Sequence, residues 1–168
     1  MKPQFNILVT LLAFACVACQ PNKEPALAPA NSQTYFPISI GGKDLQLQLA
    51  LNPAEQQKGL MSRDSLAKDH GMLFLFEQPE QRSFWMRNTR IPLDIGYFDA
   101  SGQLLEVHKL FPHDETPVPS SSRNVLIAVE TNRGWYAANG VQAGARIDMP
   151  ALQSALTRRN HTNSALQP

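Results

Sequence analysis

From Thr34 onward the apolar residues come in short words of strand length, separated by turn residues. Tyr35, Ile38 and Ile40 open a strand, Gly41-Gly42 supplies a two-residue turn, and Leu45, Leu47 and Leu49 alternate with polar residues. That is the pattern of a hairpin with one buried face. Further words follow at Met72–Phe76, Phe84–Met86, Leu93–Phe98, Gln103–Leu110 and Asn124–Thr131, the last apolar on both faces. Arg146–Met149 reads as a closing strand. Seven to nine short strands at this spacing predict a mostly β fold, a sandwich or barrel. One or two short helices interrupt it. Asn52 caps the first, with Pro53 at its first position and Glu55 at the capping-box place. Arg133–Asn139 is the second, closed by Gly140. The expected single domain spans 34–150. The segment 151–168 offers only Leu152 and Leu156 as a helical pair and is expected to be a largely disordered tail.

Both cysteines, Cys16 and Cys19, precede this domain. Their position excludes a disulfide framework, a cysteine-ligated zinc site and a cysteine nucleophile within it. Met1–Cys19 reads as a secretory signal, with Lys2 as its positive end and an apolar run, Ile7–Val17, too short to span a bilayer. A small residue followed by Cys19 resembles a lipobox, in which the cysteine becomes the first mature residue and carries lipid. Cys16 stands where Leu is common. Two other readings share these residues: ordinary cleavage after Ala13-Phe14-Ala15, and a redox-active C-x-x-C. Residues 20–33, with three prolines, three alanines and two asparagines, read as a flexible linker. Gln20 resembles the neighbour that lets lipoproteins move to the outer membrane. The chain is therefore expected to be exported, periplasmic, and anchored to the outer membrane by lipid on Cys19.

Fifteen Lys and Arg face 14 Asp and Glu, and loss of Lys2 with the signal leaves the mature chain neutral. Nucleic-acid binders need clustered basic residues for phosphate contacts, so no nucleic-acid partner is expected.

Three words recur in a known order: Gly59-Leu-Met61, Gly71-Met-Leu-Phe74, and the twelve residues Phe84–Ile95 (FWMRNTRIPLDI). They resemble the bacterial and archaeal family called domain of unknown function 192, whose members are often exported. Glu130 and Gly134 match that family's later E-x-x-x-G segment. Arg87 stands where Lys is usual, and Ala145 follows Gly144 where Asp is expected. The resemblance implies a compact jelly-roll type of β-sandwich and no established reaction.

The word around Trp85 combines a stacking surface with hydrogen-bonding groups at Arg87, Asn88, Thr89, Arg90 and Asp94. Such a mixture suits a sugar or a peptide. The structural reading of the same residues has Asn88-Thr89 closing a turn and Asp94 buried against Arg87 or Arg90. The ligand-binding candidates are Trp85, Arg87, Asn88, Thr89, Asp94 and Glu130. Met61, Met72 and Met86, with His70 and His108 as companions, raise copper(I), although methionine more often fills core gaps. No metal site or cofactor is expected. Ser120–Ser122 follows His113, Asp114 and Glu115 in one loop, but there is no G-x-S-x-G elbow. Glu106 and His108 should share a strand face. The leading reading is a non-catalytic envelope module for a small ligand or partner protein. The rival is an envelope hydrolase or carbohydrate-active enzyme using Asp94 and Glu130.

Overall fold

The structure, a computed structural model, describes residues 29–166. The signal segment, Cys19 and most of the expected linker lie outside the described residues. The end of that linker is fastened: Asn31–Thr34 forms a turn, and the Gln33 carbonyl accepts the Gln48 amide at 2.9 Å.

The fold is mostly β, with few short helices. Strand β1 (Phe36–Ile40) pairs antiparallel with β2 (Lys43–Ala50) across Gly41-Gly42. Both glycines have positive φ, 58° and 73°, which matches the twist of a two-residue hairpin and which side chains resist. Helix α1 (Pro53–Lys58) then carries the chain over to β3 (His70–Glu80), parallel to β2. Its start is capped as the sequence indicates. Asn52 accepts the Glu55 N–H at 3.0 Å, and Glu55 reaches back to the Leu51 N–H at 2.8 Å.

The remaining principal strands are β5 (Leu93–Phe98), β6 (Leu104–Leu110) and β8 (Val125–Asn132). Together they give a six-stranded mixed sheet in the order β1-β2-β3-β8-β5-β6. A separate ribbon pairs β4 (Ser83–Phe84) with β7 (Val118–Pro119), which lies in the loop after β6. The sheet does not close into a barrel. Ile147 bridges Ile40 at the end of β1 and Arg146 bridges Gln103 beside β6, so this segment stitches the two edges together at one end.

Both faces of the sheet are covered, which explains why β8 is apolar throughout. One face packs Leu73, Ile127 and Val129 against α2 (Trp135–Ala138) and α3 (Met149–Arg158). The other packs Phe74, Ile95 and Ala128 against Leu60, Met86 and Ile91 from the loops.

The C-terminal segment departs from the expected disordered tail. Residues 149–158 form α3, capped by Asp148, which accepts the Ala151 N–H at 3.0 Å. Leu152 and Leu156 are fully buried, each contributing about 1.5–3 kcal/mol. Arg159 then donates to the Leu49 carbonyl and pairs with Glu55 at 2.7 Å. Asn163 donates to the Phe76 carbonyl at 2.7 Å. These bonds hold the segment through Leu166 to the domain, whose described part runs past the expected boundary at 150.

Candidate functional site

The twelve-residue word folds into the ribbon, a tight turn and the start of β5. Phe84 packs edge-on against Phe74, with ring centroids 5.0 Å apart. Trp85 points outward and is 45% exposed, with the Arg87 guanidinium 5.8 Å from its ring. Met86 returns to the core. Asn88 is left-handed at φ 53°, and its carbonyl accepts the Ser62 N–H at 2.9 Å. Thr89 is buried, and its hydroxyl donates to the Arg87 carbonyl at 3.2 Å. The turn is thus closed by backbone conformation and side-chain bonding, as the structural reading holds.

Asp94 does not pair with Arg87 or Arg90. Both arginines project from the exposed turn, and Arg90 pairs with Asp64 at 2.5 Å. The Asp94 carboxylate, 5% exposed, accepts the Gly134 N–H at 2.7 Å and faces Arg133 Nε at 3.3 Å. Strand register decides this. Asp94 lies opposite Thr131 in β8, two residues from Arg133, while Arg87 and Arg90 precede the strand. Gly134 takes φ 83°, a conformation that favours glycine, and so presents its N–H to the carboxylate. Arg133 also donates to the Leu93 and Leu110 carbonyls and covers the Phe111 ring at 4.4 Å. Asp94 therefore joins β5 to the turn before α2.

Glu130 stands opposite Ile95, the next residue along β5. Because successive side chains alternate, Asp94 and Glu130 project from opposite faces of the sheet. Glu130 is 5% exposed and, among the described residues, its carboxyl has no hydrogen-bond partner. Burial raises it from the ordinary carboxyl range to about 8, against an opposing pull from Arg63. Burial outweighs the attraction of Arg63, so the neutral form is favoured.

The carboxyl lies in the wall of a cavity of about 270 Å³. Phe74, Phe76, Phe84 and Trp85 give it aromatic sides, and Thr89 and Met61 complete the part nearest the turn. A neighbouring hollow of about 590 Å³ shares Lys58, Gly59 and Met61 with it. The structure thus brings together Trp85, Thr89 and Glu130 from the expected set. It leaves Arg87 and Asn88 on the exposed turn and Asp94 on the far side of the sheet. Gln56, Gln81 and Phe76 were not among the sequence candidates, because a glutamine or a phenylalanine alone carries no chemical signature.

The other constellations resolve separately. Met72 and Met86 are buried in the apolar layer, and Met61 lines the cavity. His70 packs on Tyr35 at 4.6 Å, and His108 bonds Glu106 at 2.7 Å on β6. Among the described residues no three His, Cys, Asp or Glu side chains cluster to hold a metal. Burial would raise Glu106, but the Ser122 and Ser121 amides and His108 hold it below the ordinary range. Ser120 is buried; its hydroxyl donates to the Ser122 carbonyl and accepts the Arg82 N–H. The serine loop is a scaffold around Glu106.

The model of the DUF192 family, described as Uncharacterized ACR, matches residues 36–149. The chain belongs to this family. A DUF192-like fold is also found in two solved structures. One, a "putative transcription regulator" from Sinorhizobium meliloti 1021, is 32% identical, with a TM-score of 0.66 over 71% of this chain and 96% of that one. The other, a protein of unknown function from Novosphingobium aromaticivorans DSM 12444, is 35% identical, with a TM-score of 0.66 over 73% of this chain and 94% of that one. No curated protein matches the chain. Within the DUF192 match, E-x-x-x-G acquires a physical meaning: Glu130 faces the cavity, and Gly134 receives Asp94 on the opposite face.

Proposed function

We propose that this chain is an exported, lipid-anchored envelope protein whose DUF192 domain binds a small ligand without transforming it. The observation that carries the binding reading is the unpartnered Glu130 carboxyl in an aromatic-walled cavity. Buried polar groups are nearly always satisfied, and one that opens onto a cavity is a natural partner for a ligand. Export and the anchor rest on the signal segment and Cys19. The enzyme reading loses its carboxylate pair. Two-carboxylate glycoside hydrolysis needs both groups flanking one bond, and these project from opposite faces of a sheet. A regulatory role through DNA, suggested by the words attached to the Sinorhizobium protein, finds no basic excess in this chain, with 15 cationic against 14 anionic residues.

Trp85 is expected to matter for ligand and little for fold. Trp85→Ala should weaken retention of the ligand that co-purifies or is selected from a metabolite screen. Its unfolding free energy should stay within about 1 kcal/mol of wild type, since the side chain is half exposed. Unfolding of the variant would instead make Trp85 a core residue. For the anchor, Cys19→Ser should abolish incorporation of a labelled fatty acid and release the protein from the membrane fraction. Unchanged labelling contradicts the assignment.

A further inference from the structure

The polar atoms lining the cavity differ in what they have left to give. The Gln56 amide nitrogen is spent on the Leu75 carbonyl at 2.8 Å, and that of Gln81 on the Ser120 carbonyl at 2.7 Å. The oxygens of both amides are left unbonded by the protein. Thr89 spends its proton on the Arg87 carbonyl and keeps its lone pairs. Arg82 gives one terminal nitrogen to Glu80 and the other to the Gln78 carbonyl, and its buried Nε is left without a partner. Apart from that one N–H, the uncommitted capacity of the wall around Glu130 is that of acceptors, to which Glu130 adds its carboxylate once it ionises. The aromatic sides suit a cation: the Arg82 guanidinium already lies over the Phe76 ring at 3.8 Å.

We propose that the cavity takes a small organic amine as its ammonium ion, the charge resting on Glu130 and the aromatic faces of Phe84 and Trp85. This rests on the reading of the cavity as the ligand site and names the ligand's class. An ammonium group offers up to three N–H donors, which the Glu130 carboxylate, Thr89 Oγ1 and a glutamine oxygen would accept. Binding forms no covalent bond between ligand and protein. It moves one proton: the neutral Glu130 carboxyl releases its proton to solvent as the ammonium arrives.

The charged and titratable groups around Glu130 set the pH dependence. Arg63, from the loop after α1, acts on it across space, while its guanidinium is bonded to Gln48 and Tyr35 outside the cavity. Lys58 of α1 lines the cavity but is exposed, where water and salt screen it, and Arg82 is paired with Glu80. Tyr97 of β5 and Tyr136 of α2 sense Glu130 but stay neutral, their phenols pushed upward by burial. His70, two residues from Met72 on the same face of β3, is a further titratable neighbour, and Glu130 is the one that lines the cavity and gives up its proton to the ligand's charge.

The test is isothermal titration of the full-length protein at pH 7 with three probes of one shape: 2-phenylethylamine, 2-phenylethanol and 3-phenylpropionate. The amine should bind at least roughly tenfold more tightly than the alcohol, and the acid should bind least. Its affinity should rise roughly tenfold from pH 6 to pH 7, because each bound amine displaces one proton. Glu130→Gln, nearly isosteric and checked for an intact melting transition, should reduce the amine to the level of the alcohol and remove the pH slope. Equal binding of alcohol and amine, or an unchanged amine affinity in Glu130→Gln, overturns the amine assignment and leaves the cavity as a ligand site. Failure of all three probes to bind at millimolar concentration overturns both.

Discussion

Asp94→Ala should lower the melting temperature by about 10 °C and leave ligand binding at the Glu130 cavity unchanged. The substitution removes a charge-assisted bond to the Gly134 N–H and the partner of Arg133 Nε. Breaking a buried pair by deleting one member costs roughly 3–5 kcal/mol. The Arg133 side chain is a quarter exposed and keeps its carbonyl and aromatic contacts, so the lower end, about 3 kcal/mol, applies. For a domain of this size that corresponds to about 10 °C. Asp94→Asn retains an oxygen for Gly134 and loses only the charge, and it should cost about half as much. Thermal denaturation of the two variants checks the order. Equal losses would mean that the hydrogen bond to Gly134 contributes nothing and that the charge accounts for the whole effect.

Glu130→Gln should produce the opposite change, and only in part of the pH range. The folded-state carboxyl titrates at about 8, well above its ordinary range, so the folded protein holds a proton that the unfolded chain has lost. Stability from this group is fully present below the unfolded value of about 4.5 and is lost as pH rises through about 8. The wild-type unfolding free energy should fall by up to about 1.4 kcal/mol per pH unit across that window. The total is on the order of 5 kcal/mol. Glutamine carries no titrating proton, so the variant's stability should be nearly flat there and should exceed wild type at pH 8.5. Chemical denaturation at a series of pH values reads this directly. Parallel curves for the two proteins would show that Glu130 titrates alike in folded and unfolded chains.

These two carboxylates also show what the sequence makes legible. The hairpin at Gly41-Gly42 and the cap at Asn52 are local, since each is decided by residues a few positions apart. The β-rich class follows from words of strand length. Asp94's partner was not legible: Arg87 and Arg90 are near in sequence, whereas Arg133 is brought close by the pairing of β5 with β8. Helix α3 was hidden for a related reason. Its polar face, Gln153, Ser154 and Thr157, outweighs two leucines, and its end is held by Arg159 through Glu55, more than a hundred residues earlier. Two local signals did mark its start, Asp148 as cap and Pro150 in the first turn. Glu130 carried a signal as well. A lone acid ending the apolar run Val125–Val129 is a carboxyl entering a core, although the face it takes depends on register with β3 and β5. The cavity itself, assembled from α1, the ribbon and β8, has no sequence signature.

The claim on which the functional account depends is that Glu130 is a buried carboxyl left without a partner by the protein. Site-resolved carbon NMR of the glutamate carboxyls in the full-length protein, with Glu130→Gln used for assignment, measures this directly. The account predicts a Glu130 midpoint of about 8 in the free protein. It also predicts that saturating 2-phenylethylamine will convert Glu130 to its ionised form at pH 7. A midpoint near the ordinary value of about 4.5 would mean that water or protein already satisfies the charge, contradicting the account.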